Sequence, residues 1–197
     1  MRIGLCGAGG TGKGTIAKAF CAKHPEVKLI PSTVQHIGQM LDPDSDNYRT
    51  ISAVFKPDFQ RIILAVQAET ERTMDTNHLS YISERSLIDF IPYMDRVLKD
   101  LYGYIPHGEH GSYMYTVKHY LRETPYTHIF FLPADDFDPG DGEDAAAWKE
   151  RDPAERARTN EELKKHLHEL APGFGIPVTI LSGSVEERLE QMEKALA

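Results

Sequence analysis

The run of glycines that follows the first apolar segment constrains the fold of this 197-residue chain more than any other feature. Arg2–Cys6 is a strand-like run, the letters GAGGTGKGT follow it from Gly7 to Thr15, and Gly14–His24 has a helical pattern. Glycines let the backbone curl so that successive N–H groups point into one concavity, and the helix adds its positive N-terminal end. A strand, a glycine loop and a helix in this order predict an anion site of the phosphate-loop (P-loop) type.

Each residue type in this loop has a chemical role at a nucleoside triphosphate. Lys13 closes the G-x-x-x-x-G-K core and brings a mobile charge to the β- and γ-phosphates, and Thr11 adds a hydroxyl. Gly14 occupies the place where the motif usually has Ser or Thr, so we expect Thr15 to hold Mg²⁺. The predicted cofactors are ATP and Mg²⁺. The alternative is a glycine-rich turn without a ligand. The predicted ATP-binding positions are Gly7, Ala8, Gly9, Gly10, Thr11, Gly12, Lys13, Gly14 and Thr15.

Short apolar runs alternate with helical patterns along the rest of the chain. Strands that are apolar throughout are typical of a parallel sheet covered on both faces. We therefore predict a three-layer α/β/α P-loop fold with five parallel strands, in one domain that spans residues 1–197. The predicted strands are Arg2–Cys6, Val27–Pro31, Leu79–Ser83, His128–Leu132 and Pro177–Leu181. The predicted helices are Gly14–His24, Pro57–Asp75, Ser86–Tyr102, Ala154–Leu170 and Val185–Leu196.

Three stretches are predicted to be irregular. Leu41–Lys56 is rich in Asp and Asn, and Ala134–Glu150 is rich in Asp, Glu and Gly. Loops of this length in a compact domain are either lids and binding loops or solvated insertions, and both interpretations stay open. The second stretch belongs to a predicted lid segment at about residues 134–158. His107–His110 predicts a surface loop rather than a metal site, because a third ligand is lacking.

Charge and cysteine content limit the classes of partner. The net charge of −8 argues against a broad basic surface for nucleic acid, although it is compatible with a local basic groove. No apolar run approaches the roughly 18 residues that cross a bilayer, so we expect no membrane contact. Cys6 and Cys21 are expected to be reduced, buried thiols, which predicts a cytoplasmic protein.

A second charged motif follows the predicted third strand. Glu84 and Arg85 come directly after Leu79–Ser83, and Asp89 follows shortly after them. A carboxylate at the C-terminal end of a strand beside a phosphate loop can reach Mg²⁺, which makes Glu84 a candidate metal ligand and catalytic residue. The adjacent Arg85 can hold the acceptor or the moving phosphoryl group. The alternative is a surface Glu–Arg pair that caps a helix.

Together, the letters GAGGTGKGT and SERSLID resemble the nucleoside and nucleotide kinases of the P-loop class. The GKGT ending resembles adenylate kinases, the ERS triplet is similar to deoxynucleoside kinases, and the wider pattern is similar to thymidylate and ribosylnicotinamide kinase-like proteins. The resemblance implies an arginine-bearing lid, a glycine loop near the adenine with Gly183, and a place for Asp89 in the site. The alternative for the lid arginines is pairing with acidic neighbours on a solvated helix. The candidate catalytic residues are Lys13, Glu84, Arg85, Asp89, Arg151 and Arg156.

The chain departs from deoxynucleoside kinases at the end of its second strand. Those enzymes have a general-base carboxylate there, whereas this chain has the letters IPSTVQ from Ile30 to Gln35. Glu84, Asp89 and Asp135 stay open as alternatives for the base. A further alternative is that positioning alone suffices, because the transition state of phosphoryl transfer is loose.

These patterns predict an ATP-dependent kinase that transfers the γ-phosphoryl group to a nucleoside or nucleotide. The acceptor is either free or a modified base in DNA, since phage-type P-loop kinases of 5-hydroxymethyluracil in DNA belong to this broad relationship. The acidic net charge counts against a polymer substrate. A homodimer is left open. The competing interpretation is a P-loop NTPase that acts as a nucleotide-dependent regulatory switch.

Overall fold

The computed structural model describes residues 1–41, 56–134 and 153–197. Its strands are β1 (Arg2–Cys6), β2 (Lys28–Ile30), β3 (Tyr81–Ser83), β4 (His128–Phe131) and β5 (Val178–Ile180). They form one sheet in the order β2-β3-β1-β4-β5, and every neighbouring pair is parallel. The predicted five-stranded parallel sheet is therefore confirmed, although four strands are shorter than predicted.

Helices connect these strands. In the described ranges they are α1 (Lys13–Lys23), α2 (Thr33–Leu41), α3 (Pro57–Thr76), α4 (Ile91–Tyr102), α5 (His107–Glu123), α6 (Pro153–Leu170) and α7 (Val185–Leu196). The local sequence explains where several of these helices begin. Proline begins α3 and α6, where its missing N–H leaves no hydrogen bond unmade. Ser184 caps α7 in a reciprocal capping box with Glu187.

The sheet separates two apolar cores. Ile3 and Leu5 of β1 pack in one core with residues of α1 and α7, whereas Cys6 packs in the other core with residues of α3, α4, α5 and α6. Successive strand residues point to opposite faces, so a single strand serves both cores. The predicted three-layer α/β/α class is confirmed. The carboxyl ends of the parallel strands meet at one edge of this sheet, which is where such folds place their ligands.

Two helices were not predicted from the sequence. α2 follows β2, and α5 begins at His107, so the predicted loop at His107–His110 is wrong. Pro106 precedes α5 in an extended conformation, and Tyr113, Val117 and Leu121 recur every four residues on its buried face. Two glycines in the first half of α5 obscured that period. The predicted helix Ser86–Tyr102 is also divided, because a 3-10 turn at Leu87–Phe90 precedes α4.

The two long stretches predicted to be irregular lie almost wholly outside the described residues, at 42–55 and 135–150. The lid segment therefore stays a prediction. Of the helices in the described ranges, none combines the length and the apolar character needed to cross a membrane.

Candidate active site

The glycine loop lies at the carboxyl end of β1, between that strand and α1. Gly10 and Gly12 have φ angles of 76° and 83°, a left-handed conformation that glycine adopts without steric cost. A Cβ atom on Gly7 would lie 2.6 Å from the backbone oxygen of Leu132, so a side chain there would collide with the chain that follows β4. The loop geometry predicted from the sequence thus depends on glycine at these positions.

Lys13 is the cation of this loop. Its Nζ donates to the backbone oxygens of Gly7 at 2.6 Å and Ala8 at 2.8 Å, and its side chain is buried. Burial lowers the pKa of Lys13 from 10.5 to about 8, and the charge of Asp89 opposes that shift. A buried ammonium that is bonded only to neutral carbonyls favours an anionic partner, which phosphate oxygens provide.

Glu84 lies between the glycine loop and the end of β2. Its Oε2 accepts a hydrogen bond from the backbone N–H of Ser32 at 3.1 Å. A Cβ on Gly14 would lie 3.0 Å from Oε1 of Glu84. The absence of a side chain at Gly14, the unusual feature of the motif, thus leaves room for this carboxylate. Glu84 therefore faces the start of α1 and also reaches the strand end where the sequence has no acidic residue of its own.

Thr15, the predicted Mg²⁺ ligand, follows Gly14 in the first turn of α1, and its role stays a prediction. Thr15 is exposed, and successive residues of a helix are rotated by about 100°, so its side chain leaves α1 in a different direction from the Gly14 position. The oxygens of Glu84 fit Mg²⁺, a hard cation that usually takes one or two carboxylates and completes its shell with waters and phosphates. In the described ranges, no three His, Cys, Asp or Glu side chains converge as a metal cage.

Asp89 holds the start of the glycine loop through a hydrogen bond from Gly7. Its carboxylate is fully buried and accepts from the Gly7 N–H at 3.1 Å, from the Cys6 thiol at 3.4 Å and from Arg85 at 2.8 Å. Burial and the nearby Asp89 carboxylate raise the pKa of the Cys6 thiol well above its usual value. Asp89 thus links the first residue of the glycine loop to the Arg85 guanidinium. Its hydrogen bonds hold both in place, which is a structural role.

Arg156 reaches the same loop from α6. Its Nη2 lies 3.4 Å from the backbone oxygen of Gly10 and 3.3 Å from that of Ala134. The structure thus brings one of the two predicted lid arginines to the glycine loop. Arg151 and Asp135 lie outside the described residues, so their roles stay predictions.

Sequence reasoning missed Tyr93 and Arg96, two side chains of α4 that lie beside this loop. The guanidinium carbons of Arg85 and Arg96 lie 5.0 and 5.6 Å from the centre of the Tyr93 ring. Arg96 also bonds Glu155 and Thr159 of α6. A cavity of about 30 Å³ is lined by Ala8, Gly9, Tyr93, Arg96, Glu155, Arg156 and Thr159. Helical spacing is the signal that could have found them, because Tyr93 and Arg96 are three positions apart and share one face of α4.

Gly183 lies at the start of α7, with a φ angle of 85°. Glycine adopts this left-handed conformation without strain, and a Cβ there would also meet Oε2 of Glu187 in the capping box. The same helix contacts the glycine loop, because Arg188 is buried and its Nη1 donates to the backbone oxygen of Thr11 at 3.1 Å. A larger cavity of about 330 Å³ beside Gly183 is lined by Ser182, Gly183, Glu187, Glu190, Gln191 and Lys194, and no glycine-loop residue lines it.

Comparison with known proteins finds a matching family model and several similar folds. A family model described as an AAA domain matches residues 2–188 of the chain. A deoxyadenosine kinase from M. mycoides with bound dATP is similar at a TM-score of 0.63 and 17% identity, covering 100% of this chain and 99% of that chain. The same enzyme with the products dCMP and a flexible dCDP gives a TM-score of 0.58 at 17% identity, over 100% and 98% of the two chains.

A thymidylate kinase from Candida albicans is similar at a TM-score of 0.55 and 15% identity, over 98% of this chain and 89% of that chain. No curated protein sequence matches the chain significantly. At these identities the structural similarity establishes the fold, and the family model covers most of the chain. The chain therefore belongs to the AAA domain family and has the fold of the P-loop nucleoside and nucleotide kinases.

Proposed function

We propose that this protein is an ATP-dependent phosphotransferase that moves the γ-phosphoryl group of ATP to a nucleoside or nucleotide acceptor. The observation that carries the proposal is the place of the Glu84 carboxylate, 3.0 Å from where a Gly14 side chain would begin and bonded to the Ser32 N–H at 3.1 Å. In this proposal the acceptor enters at the end of β2 beside Ser32, which we call the acceptor edge. A hydrolytic switch needs no acceptor edge beside its phosphate loop. A kinase needs a group that contacts the phosphate site and the acceptor site together.

The glycine loop binds the phosphates of ATP in this proposal. The N–H groups of the loop after Gly7 surround the phosphate oxygens, and Lys13 exchanges its two carbonyl partners for the β- and γ-phosphates. Glu84 is the preferred ligand for Mg²⁺, with Thr15 as a second candidate reached through water. When bound, Mg²⁺ would neutralise the charge that develops on the phosphates.

Arginines complete the proposed phosphoryl-transfer site. Arg85 holds the acceptor oxygen or the transferring group, while its bond to Asp89 fixes it beside Gly7. Arg156 already contacts the loop at Gly10, from which it can turn toward the γ-phosphate. Preorganised guanidinium groups stabilise a loose, charge-rich transition state, and such contacts supply much of the catalysis in this reaction class.

Glu84 is also the proposed acceptor-side base, in preference to Asp89. The Asp89 carboxylate is fully buried and already accepts from three donors, so abstracting a proton would break the anchor of the loop. An acceptor hydroxyl would enter at the carboxyl end of β2, where the Ser32 N–H bonds Glu84.

Free nucleosides and nucleotides are the first acceptors to test. The two M. mycoides structures contain dATP or the products dCMP and dCDP, which supports this class. Hydroxymethylated DNA is a further acceptor, disfavoured by the net charge of −8. We also propose a cytoplasmic location, supported by the two free thiols of Cys6 and Cys21.

The experiment is a transfer assay with ATP labelled in the γ-phosphate. The acceptors are nucleosides, nucleotides, ribosylnicotinamide, and plain and hydroxymethylated DNA. We expect label on one class of acceptor in the wild type, and a loss of at least about a hundredfold in Lys13→Ala. Hydrolysis of ATP that no acceptor stimulates would overturn the proposal in favour of a regulatory NTPase.

A further inference from the structure

A buried polar network lies behind the segment that carries Glu84 and Arg85, and its centre is Glu71 of α3. Glu71 is fully buried. Its Oε1 accepts from Nε2 of Gln67 at 2.7 Å, and both of its oxygens accept from the Tyr126 hydroxyl at 2.8–2.9 Å. A carboxyl group in an apolar core is costly unless its hydrogen bonds are made. Both oxygens of Glu71 have partners, so these hydrogen bonds hold the carboxylate in one position.

The network reaches the backbone on both sides of Ser86. On one side, Gln67 donates to the Ser83 hydroxyl at 2.5 Å, and that hydroxyl donates to the backbone oxygen of Arg85 at 2.8 Å. On the other side, the Tyr126 hydroxyl accepts from the Leu87 N–H at 2.9 Å. Glu71 therefore fixes the chain immediately around the two site residues without touching either.

A third branch leads to the acceptor edge. The Thr33 hydroxyl donates to Oε1 of Gln67, and Thr33 directly follows Ser32, whose N–H bonds Glu84 at 3.1 Å. The same network thus holds the backbone that carries Glu84 and the strand end against which its carboxylate rests. A purely structural polar pair would not need to join these two points.

The strand β1 leaves space for this network. A Cβ on Gly4 would lie 3.2 Å from the Tyr126 ring and 3.0 Å from Cβ of Ser86. Both contacts are tighter than packed side chains tolerate without shifting. Glycine at this buried strand position therefore lets Tyr126 reach Glu71 and Leu87 together.

We propose that Glu71 is a positioning residue for phosphoryl transfer, which acts through Gln67 and Tyr126 to set the places of Glu84 and Arg85. This inference rests on the proposed function for its kinetic consequence, but its geometric consequence can be measured without any acceptor. Groups that orient residues of a site through hydrogen bonds typically change rates when they are mutated, while leaving remote binding contacts intact.

The ionisation of Glu71 gives a second readout. Burial raises the pKa of Glu71 to about 7, and the hydrogen bonds from Gln67, Tyr126 and Ser83 oppose that rise. The other titratable groups that face it are Tyr126 and Tyr81, whose own pKa values are raised by burial. The network therefore loses its ionised centre as the pH falls through about 7.

The test compares Glu71→Gln with Glu69→Gln, the same change at an exposed position of the same helix. We expect kcat of Glu71→Gln to fall about tenfold while KM for ATP changes less than about twofold. Its kcat should also lose the wild-type dependence on pH near 7. Glu69→Gln should behave like the wild type. Wild-type kcat and pH profile in folded Glu71→Gln would overturn the inference.

Two further measurements keep the test decisive. Tyr126→Phe removes the hydroxyl that bonds Glu71 and Leu87, so its kcat should also fall about tenfold. If Glu71→Gln does not fold, Tyr126→Phe decides the test. An unchanged kcat in Tyr126→Phe would then refute the inference. If the wild type transfers phosphate to no acceptor, the proposed function fails by itself. The positioning role is then measured by the kcat of ATP hydrolysis without an acceptor. We expect this kcat to fall about tenfold in Glu71→Gln, and an unchanged kcat would overturn the role.

Discussion

Lys13 and Glu71 are buried groups whose pKa values move toward neutrality from opposite directions. Burial is the largest cause in both, lowering Lys13 to about 8 and raising Glu71 to about 7. Each group is therefore poised to exchange a proton when its surroundings change. Lys13 lacks an anionic partner within hydrogen-bonding distance among the contacts described for it, and Glu71 lacks a cationic one.

The affinity for ATP should fall as the pH rises through about 8, because phosphate binds the protonated form of Lys13 and the free protein loses that proton there. The dissociation constant is measured by calorimetry at about pH 7.5, 8.5 and 9.5, a range that spans the pKa of Lys13. Lys13→Arg keeps its charge throughout, so its affinity should not depend on pH. A wild-type affinity that is constant across this range would contradict the assignment.

The stability of the wild type should fall relative to Glu71→Gln between about pH 5 and 8. The folded-state pKa of Glu71 is about 7 and the ordinary value is 4.5. In this window the folded protein binds a proton that the unfolded chain has released, so stability decreases as the pH rises. The full difference is about 3 kcal/mol. Denaturant unfolding of both proteins measures it, and a difference that does not depend on pH would refute a buried, shifted Glu71.

The first turn of α1 determines how closely the glycine loop approaches Glu84, which follows β3. Gly14 lets the Glu84 carboxylate lie against the helix, whereas the usual Ser or Thr would fill that space. The sequence contains this information as the letters GKGT, but it does not say which side chain takes the vacated place. That answer depends on the parallel register of β1 and β3, which aligns Gly4 with Ser83.

Gly14→Ala should lower kcat about tenfold, because the new methyl group would displace the Glu84 carboxylate by a few tenths of an ångström or more. Gly111→Ala in α5 is the matched control, since nothing lies within 4 Å of its added carbon. That control should keep kcat and stabilise the protein by about 0.5–1 kcal/mol, since alanine suits a helix better. Equal kcat in the two variants would contradict the contact between Gly14 and Glu84.

Elements with a clear local pattern were predictable. β1 and α7 begin and end where the sequence predicts, because a glycine loop ends the first and a capping box begins the second. α5 was missed because its glycines dilute an apolar face that tertiary packing nevertheless buries at Tyr113, Val117 and Leu121. The 3-10 turn before α4 was missed for a similar reason, since its start depends on the distant Tyr126 hydroxyl at Leu87.

At the scale of the whole molecule, the candidate site is assembled from segments far apart in sequence. Arg188 reaches Thr11 across 177 positions, and Arg156 reaches Gly10 across 146. The phosphate loop and the Glu84–Arg85 pair could be predicted because each is a local motif at a strand end. The anchoring by Asp89 and the Glu71 network could not, because each depends on the packing of helices against a sheet whose strand order the sequence does not state.

Nucleotide binding should stabilise the entire fold, since the loop it contacts joins β1, α1, α6 and α7. ATP with Mg²⁺ at a hundred times its dissociation constant should raise the free energy of unfolding by about 2.7 kcal/mol. Thermal unfolding with and without the nucleotide measures this, and Lys13→Ala should lose most of the shift. An equal shift in Lys13→Ala would place the nucleotide elsewhere.

The most direct test of the account compares acceptor-dependent transfer of labelled γ-phosphate by Glu84→Gln and by Glu123→Gln, an identical change at an exposed position of α5. The account predicts that Glu84→Gln loses at least about a hundredfold in kcat, since a carboxylate shared by the phosphate loop and the acceptor edge is removed. Glu123→Gln should keep the wild-type rate. A wild-type transfer rate in Glu84→Gln would contradict the claim that Glu84 joins the two halves of a kinase site.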